Sequence, residues 1–200
     1  MTPHPTILFF VLGILIALAA LWRAVRIPAH HSWRRQQART MSGQLRGRDR
    51  DQPFQLIYGR LRAMDPLAFE ELLLESLESR GLRVIRNRRY TGDGGIDGRV
   101  IIDGETVLIQ AKRYASSIRP EHVAAFATLC RTRRCRGLFI HTGRTGPQSR
   151  QLIIDNTNIT IVSGSELIAL LRGDLVTCLT RTVARAPAKA SFGQQQERRG

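Results

Sequence analysis

The stretch from Gly98 to Arg113 constrains the fold most, because it predicts a β-hairpin. Two apolar runs, Gly98–Ile102 and Glu105–Arg113, flank the dipeptide Asp103-Gly104. An Asp-Gly pair between two such runs is a strong signal for a tight turn that joins antiparallel strands. The sequence therefore predicts two neighbouring strands here.

The second strand of this hairpin ends in polar groups where burial is expected. Side chains alternate along a strand, so Leu108, Gln110 and Lys112 share one face. Asp97 begins the neighbouring strand, within reach of the same edge. A carboxylate, an amide oxygen and an ammonium would then converge, and burying them without partners is costly. Either an occupant or a polar network is expected there.

The pattern around the hairpin predicts an α/β domain over residues 64–175. A helix should begin after Asp65 as N-cap, with Pro66 in its first turn, and stop at Gly81. The remaining elements are a strand at Leu82–Arg88, a helix at Pro120–Arg133, a strand at 137–142, a helix at 147–156, a strand at 159–162 and a helix at 165–172. This order predicts a mixed central β-sheet flanked by helices.

The N-terminal segment predicts a membrane anchor. Residues Ile7–Trp22 carry no charge, and arginines follow at once, beginning with Arg23. We expect a transmembrane helix over 6–25 with the C-terminal side in the cytoplasm. A cleaved signal peptide and a buried soluble helix are the alternatives. Residues 26–63 then read as a basic juxtamembrane linker with a short helix near Phe54–Arg62, and 182–200 as a disordered tail.

The charge balance points to polyanionic partners. The chain has 31 Lys and Arg against 16 Asp and Glu, a formal net charge of +15. Such a surplus attracts nucleic acid or an anionic membrane surface and says little about fold. A generally basic protein with no such partner remains the plainer interpretation.

Phosphodiester hydrolysis would use all three of these polar groups, Asp97, Gln110 and Lys112. Asp97 supplies the charge that a hard cation such as Mg²⁺ prefers, and Gln110 adds a neutral oxygen. Lys112 would orient the attacking water or stabilise charge on the phosphate. Glu70, on the first helix of the domain, is a candidate fourth group. The alternative is ordinary turn chemistry beside a lysine at a strand end.

Three motifs together resemble the Mrr-type restriction endonuclease domain of the PD-(D/E)xK nuclease superfamily. They are FEELL at Phe69–Leu73, GDGGIDG at Gly92–Gly98 and IQAKRY at Ile109–Tyr114. The resemblance covers about residues 64–171 and implies a Mg²⁺-dependent DNA endonuclease. By position it implies a catalytic set of Glu70, Asp97, Gln110 and Lys112, with the first three at the metal.

The chain also departs from the superfamily pattern. Ile96 precedes Asp97 where proline is usual, and Gln110 stands where the superfamily usually has an acid. Because an amide attracts a cation less than a carboxylate does, Gln110 leaves metal affinity and turnover open.

Several further residues are candidates for lesser roles. His141 reads as a satisfied strand-end histidine and Cys130 as a core residue. Asp93 reads as part of the glycine-rich bend. Basic residues that would contact DNA phosphates, or form a solvated face, are Arg113, Arg119, Arg131, Arg133, Arg134 and Arg144.

The sequence therefore predicts a membrane-anchored endonuclease at the bacterial inner membrane that cuts DNA in restriction of foreign DNA. A non-catalytic, membrane-tethered DNA-binding protein that keeps the nuclease fold is the alternative. The two differ in whether DNA binding leads to metal-dependent cleavage. Whether the chain forms a homodimer is left open.

Overall fold

The computed structural model describes residues 5–87, 95–174 and 176–180, without the side chains of 5–11, 19–31, 178 and 180. The helices are α1 (Pro5–Arg46), α2 (Phe54–Ala63), α3 (Pro66–Glu78), α4 (Pro120–Thr132), α5 (Pro147–Asp155), α6 (Gly164–Arg172) and α7 (Thr177–Thr180). The strands are β1 (Arg83–Arg86), β2 (Gly98–Ile102), β3 (Glu105–Lys112), β4 (Arg136–His141) and β5 (Ile159–Val162).

The five strands form one mixed sheet in the order β1-β2-β3-β4-β5. The first three are antiparallel neighbours, and β3, β4 and β5 run parallel with helices as crossovers. Asp103 and Gly104 both have positive φ, 52° and 80°, as a two-residue hairpin turn requires. The predicted mixed sheet flanked by helices and the predicted hairpin are confirmed.

Alternate residues of β3 enter two separate apolar clusters on the two faces of the sheet. Val107, Ile109 and Ala111 pack with residues of α1, α2, α3 and α6. Leu108 packs with α4, including Phe126. Because side chains alternate, Gln110 and Lys112 continue the α4 face of the strand, as predicted.

The start of α3 has the local chemistry that the sequence predicts. The Asp65 carboxylate accepts hydrogen bonds from the backbone N–H groups of Leu67 and Ala68, each at 3.0 Å. Pro66 occupies the first turn, and Gly81 has a φ of 82° just after the helix. These caps fix where Glu70, one turn into the helix, meets the sheet.

The C-terminal half of α1 differs from the predicted linker. Ala38, Met41 and Leu45 are buried in the main apolar cluster. Arg34 forms an ion pair with Asp65 at 3.2 Å, and other arginines of α1 pair with α3. The three apolar residues recur at helical spacing, so one face of this basic segment is apolar enough to pack against α3.

The short helix predicted near Phe54–Arg62 is confirmed as α2. Ile57, Tyr58 and Leu61 on it are buried. The Tyr58 hydroxyl accepts a hydrogen bond from the backbone N–H of Gly164. The helix therefore packs against the domain and is not part of a solvated linker.

The predicted transmembrane helix is not supported. Residues 6–25 are helical as part of α1, but no helix within the described part of the chain is long and apolar enough to cross a membrane. The side chains of 19–31, at the end of the predicted span, lie outside the described residues, as do the predicted tail 182–200 and Asp93.

Candidate functional site

Asp97 is fixed to the end of β3 by two hydrogen bonds. Its backbone N–H donates to the carbonyl of Ile109 at 2.8 Å. Its carboxylate Oδ2 accepts from the backbone N–H of Ala111 at 2.7 Å. The carboxylate therefore lies at the edge of the sheet where β3 ends in Lys112. We call this edge the carboxylate edge.

Gln110 presents an unpaired oxygen at the carboxylate edge. Its side-chain Nε2 donates to the carbonyl of Gly95 at 2.7 Å. Its Oε1 is buried and has no hydrogen-bond partner among the described residues. Since an orphaned buried acceptor is costly, this oxygen is suited to a further donor or to a bound cation.

Gly95 is needed for this contact. Its φ is 85°, and a Cβ built on it would lie 2.7 Å from Gln110 Nε2. A side chain here would be strained and would push the amide away. This glycine of the predicted bend thus allows close approach of the backbone to the Gln110 side chain.

Glu70, Asp97 and Lys112 lie near enough to act on one another's charge. Burial raises the pKa of Asp97 to about 6, against the N–H of Ala111 and the charge of Lys112, which lower it. Burial, and next the charge of Asp97, raise the pKa of Glu70 to about 8, while Lys112 lowers it. Both carboxylates are therefore costly to ionise where they lie, chiefly because they are partly buried.

A small cavity adjoins the two carboxylates. Its lining includes Glu70, Asp97, Glu71 and Arg86, and its volume of about 10 Å³ suits roughly one water-sized group. Glu71 is neutralised, because its carboxylate accepts from Arg86 Nε at 3.1 Å and lies 3.9 Å from Arg35 Nε. Among the described residues, no arginine or lysine nitrogen forms an ion pair, at 4.0 Å or less, with a carboxylate oxygen of Glu70 or Asp97.

The donor set fits a hard divalent cation. The carboxylates of Glu70 and Asp97 and the orphaned oxygen of Gln110 are all oxygen ligands of the kind that Mg²⁺ and Ca²⁺ prefer. The described residues contain no group of three or more His, Cys, Asp or Glu suited to a metal. The candidate ligands are two acids and one amide, because Gln110 stands where the superfamily usually has an acid.

His141 is a satisfied histidine, as the sequence predicts. It lies opposite Lys112 in the parallel pairing of β3 and β4 and is fully buried. Its Nδ1 accepts from the backbone N–H of Gly143 at 3.1 Å, and Nε2 lies 3.2 Å from the Thr145 hydroxyl. Burial lowers its pKa to about 4, so it is neutral at pH 7.

The six arginines proposed to contact DNA divide between two ends of the sheet. Arg113, Arg119 and Arg144 lie in the segments that follow β3 and β4, at the carboxylate edge. Arg131, Arg133 and Arg134 lie around the turn before β4, where the parallel strands begin. We call this opposite end the arginine edge. The residues predicted to contact DNA phosphates therefore lie at opposite ends of the sheet, and their contact with DNA stays a prediction.

Sequence reasoning missed the residues that surround the acids. Arg86 of β1 joins Glu71, Glu75 and Glu78 of α3, at 3.1, 3.6 and 2.6 Å. The signal was present, because glutamates at 71, 75 and 78 form one helical face. Nothing in the sequence indicated which strand would supply their partner.

Comparison with known proteins identifies the domain that carries these residues. Residues 61–171 match the Mrr catalytic domain family, described as restriction endonuclease. The chain is 33% identical over 119 residues to the type IV methyl-directed restriction enzyme EcoKMrr of Escherichia coli K12. That match covers 56% of this chain but only 39% of the relative.

Solved structures give more distant likenesses. Restriction endonuclease FokI superposes with a TM-score of 0.45 and 15% identity, over 72% of this chain and 32% of its own. The DNA modification-dependent restriction endonuclease AspBHI gives 0.38 and 18%, over 68% and 35%. These likenesses are too distant to add to the assignment. The family match spans more than half of the chain and includes all four residues of the candidate site, so the chain belongs to the Mrr restriction endonuclease family.

Proposed function

We propose that the protein is a Mg²⁺-dependent DNA endonuclease that hydrolyses phosphodiester bonds at the carboxylate edge. The observation that carries the proposal is a pair of half-buried carboxylates, Glu70 and Asp97, that act on each other's charge near the end of β3, where Gln110 has an orphaned Oε1. Among the described residues, no ion pair brings positive charge to either carboxylate. A divalent cation would supply that charge and satisfy the amide oxygen.

Each residue of the site would have a distinct part in hydrolysis. Asp97, Glu70 and Gln110 would hold the cation, which when bound polarises the phosphate and lowers the pKa of water. A cation here would also draw down the pKa values of both carboxylates, so that both are ionised. The Lys112 ammonium would orient the attacking water and stabilise the negative charge that develops on the phosphate.

DNA is the proposed substrate. The net charge of +15 attracts a polyanion, and Arg113, Arg119 and Arg144 lie at the same edge as the acids. The Escherichia coli relative is named as a methyl-directed restriction enzyme. Restriction of foreign, modified DNA is therefore part of the proposal for this chain.

Plasmid cleavage by the full chain tests the proposal. We expect nicking of supercoiled plasmid in Mg²⁺, none with chelator, and none with Asp97→Asn. Asparagine keeps an oxygen that can accept from Ala111 N–H, so the variant should fold. Matched methylated and unmethylated plasmids would show whether modification directs cutting.

A non-catalytic DNA-binding role is the competing outcome. The amide at Gln110, in place of an acid, favours it, because it weakens the attraction for a cation. Salt-sensitive plasmid binding without cleavage in any divalent ion would establish this role and refute the nuclease.

Location at the bacterial inner membrane, with the domain in the cytoplasm, is a proposal that rests on the sequence alone. It is supported by the uncharged run Ile7–Trp22 and by the arginines that follow it. Fractionation of cells that express the full chain or a variant lacking residues 6–25 tests it. Equal recovery of both in the soluble fraction would refute it.

A further inference from the structure

A second basic surface lies at the arginine edge, around a cavity of about 560 Å³. This cavity lies between the turn before β4 and the start of β3. Its lining residues are Glu105, Thr106, Cys130, Arg131, Arg133, Arg134, Cys135, Arg136 and Asn158. No residue of the candidate nuclease site lines it.

The arginines of this cavity differ in their engagement. Arg136 pairs with Glu105 at 2.8 Å, and Arg131 donates to Asn156 at 2.5 Å and to Thr128 at 3.0 Å. Arg133 and Arg134 are exposed at the turn itself. The backbone of Arg134 has a φ of 50°, a left-handed conformation typical of a tight turn. The turn thus carries two consecutive exposed arginines.

The two basic surfaces lie at opposite ends of β3. Val107 pairs with Arg136 and Lys112 with His141, so the length of β3 lies between the edges. At about 3.3 Å per residue, the five steps from Val107 to Lys112 span roughly 17 Å.

The helix between the two edges does not join them electrostatically. The exposed residues of α4 before its last turn include Glu121, Ala125 and Thr128, none of which is positive. A phosphate backbone held at the carboxylate edge would meet no basic track along α4 toward the arginine edge.

We propose that the cavity at the arginine edge binds the phosphate backbone of a second DNA segment, so that one chain bridges two duplexes. The proposal rests on the proposed function only in taking DNA as the polyanion. Guanidinium groups bind phosphates well because they present several donors in a fixed geometry.

The composition of the cavity favours a backbone ligand over a free nucleotide. Its lining residues include no aromatic side chain on which a base could stack. Base recognition in single-stranded and nucleotide sites commonly uses such stacking. Two adjacent arginines at an exposed turn instead match contacts that position a phosphate backbone without reading sequence.

Capture of one duplex by another tests the proposal. The full chain with Asp97→Asn, which under the proposed function cannot cut, is bound to a bead-tethered duplex. A fluorescent duplex is then added over a series of salt concentrations. Captured fluorescence is expressed per protein retained on the beads, so that differences in binding to the first duplex cancel.

The test variant is Arg133→Gln with Arg134→Asn, because asparagine tolerates the positive φ at position 134. We expect capture per retained protein to fall about tenfold or more, and its salt slope to fall by about two, near 0.9 for each lost phosphate contact. Arg83→Gln with Arg150→Gln removes the same charge from exposed positions outside the cavity and should capture as the parent does.

Three outcomes would overturn the proposal. They are no capture by the parent, equal capture by the cavity variant, and an equal fall in both double variants. Equal capture by the cavity variant would indicate bridging by two copies of the chain through their carboxylate edges. Retention on the beads and plasmid cleavage report on the proposed function separately, so each proposal can fail alone.

Discussion

The two edges of the sheet hold charge in opposite ways. At the carboxylate edge, Glu70 and Asp97 are half-buried, and this burial raises both pKa values. At the arginine edge, Arg133 and Arg134 are exposed. Burial raises the free energy of ionising a group and makes its pKa sensitive to neighbouring charges. An exposed charge is screened by solvent, so it interacts only weakly with its neighbours.

This difference shows where chemistry is to be expected. An exposed arginine costs little to keep, so its position alone is weak support for a catalytic role. A half-buried acid with no ion-pair partner in the described part of the chain costs stability that a ligand can restore. The structure therefore favours hydrolysis at the carboxylate edge and simple phosphate attraction at the other.

The largest expected effect comes from removing the positive charge of Lys112 at the carboxylate edge. Lys112→Met should lower the plasmid nicking rate in Mg²⁺ by about 100-fold or more, because the charge that develops on the phosphate loses its donor. Arg83→Met, at the exposed start of β1, should change the rate little. Equal rates for Lys112→Met and the parent would remove this lysine from the chemistry.

A second substitution tests whether the packing of α1 in the main apolar cluster stabilises the domain. Leu45 of α1 is fully buried, so Leu45→Ala should lower the free energy of unfolding by about 2–5 kcal/mol. Arg39→Gln, which removes an exposed pair with Glu75, should cost less than about 1 kcal/mol. Denaturant unfolding measures both. A cost for Leu45→Ala as small as for Arg39→Gln would restore the linker interpretation.

The effect of pH on the free energy of unfolding should depend on the acids at the carboxylate edge and not on Glu105 at the arginine edge. The pKa of Glu70 rises from its ordinary value of 4.5 to about 8 in the folded chain. Between these values the folded state keeps a proton that the unfolded state has released, so stability falls as pH rises through this window. Asp97 adds to the fall between 3.8 and about 6.

Glu70→Gln should therefore stabilise the metal-free chain on the order of 1–3 kcal/mol at about pH 9, and very little at about pH 4. Glu105→Gln, at the arginine edge, should not stabilise it at either pH, because Glu105 is exposed and paired with Arg136. Denaturant unfolding in chelator provides the measurement. A stability profile of Glu70→Gln parallel to that of the parent would contradict the raised pKa.

The smallest expected effect comes from replacing a glycine, and it distinguishes backbone strain from a clash with the Gln110 side chain. Gly95 and Gly104 have φ values of 85° and 80°, but only Gly95 approaches the Gln110 amide. Alanine at either position should cost about 1–2 kcal/mol through its backbone. Only Gly95→Ala should also weaken Mg²⁺-dependent nicking. Loss of nicking in both variants would show that strain alone is responsible.

The hairpin and the caps of α3 could be predicted because their signals are local. Asp103-Gly104 fixes a turn, and Asp65-Pro66 fixes a helix start, whatever surrounds them. The placement of Gln110 and Lys112 on one face of β3 followed from strand alternation, and their grouping with Asp97 in one site stays a prediction.

Other features depended on contacts between distant parts of the chain. Met41 and Leu45 recur at helical spacing among arginines and glutamines, but only the contacts of α1 with α3 show that this segment is part of the domain. The separation of the basic residues into two edges depends on the register of β3 and β4. Local sequence carries neither kind of information.

Binding of a divalent ion tests the central claim most directly. Calorimetric titration of the full chain with Mg²⁺ or Mn²⁺ should show one site per chain, absent in Asp97→Asn and unchanged in Glu105→Gln. Ion binding of equal heat and stoichiometry in the parent and in Asp97→Asn would show that the buried acids at the carboxylate edge do not hold the cation.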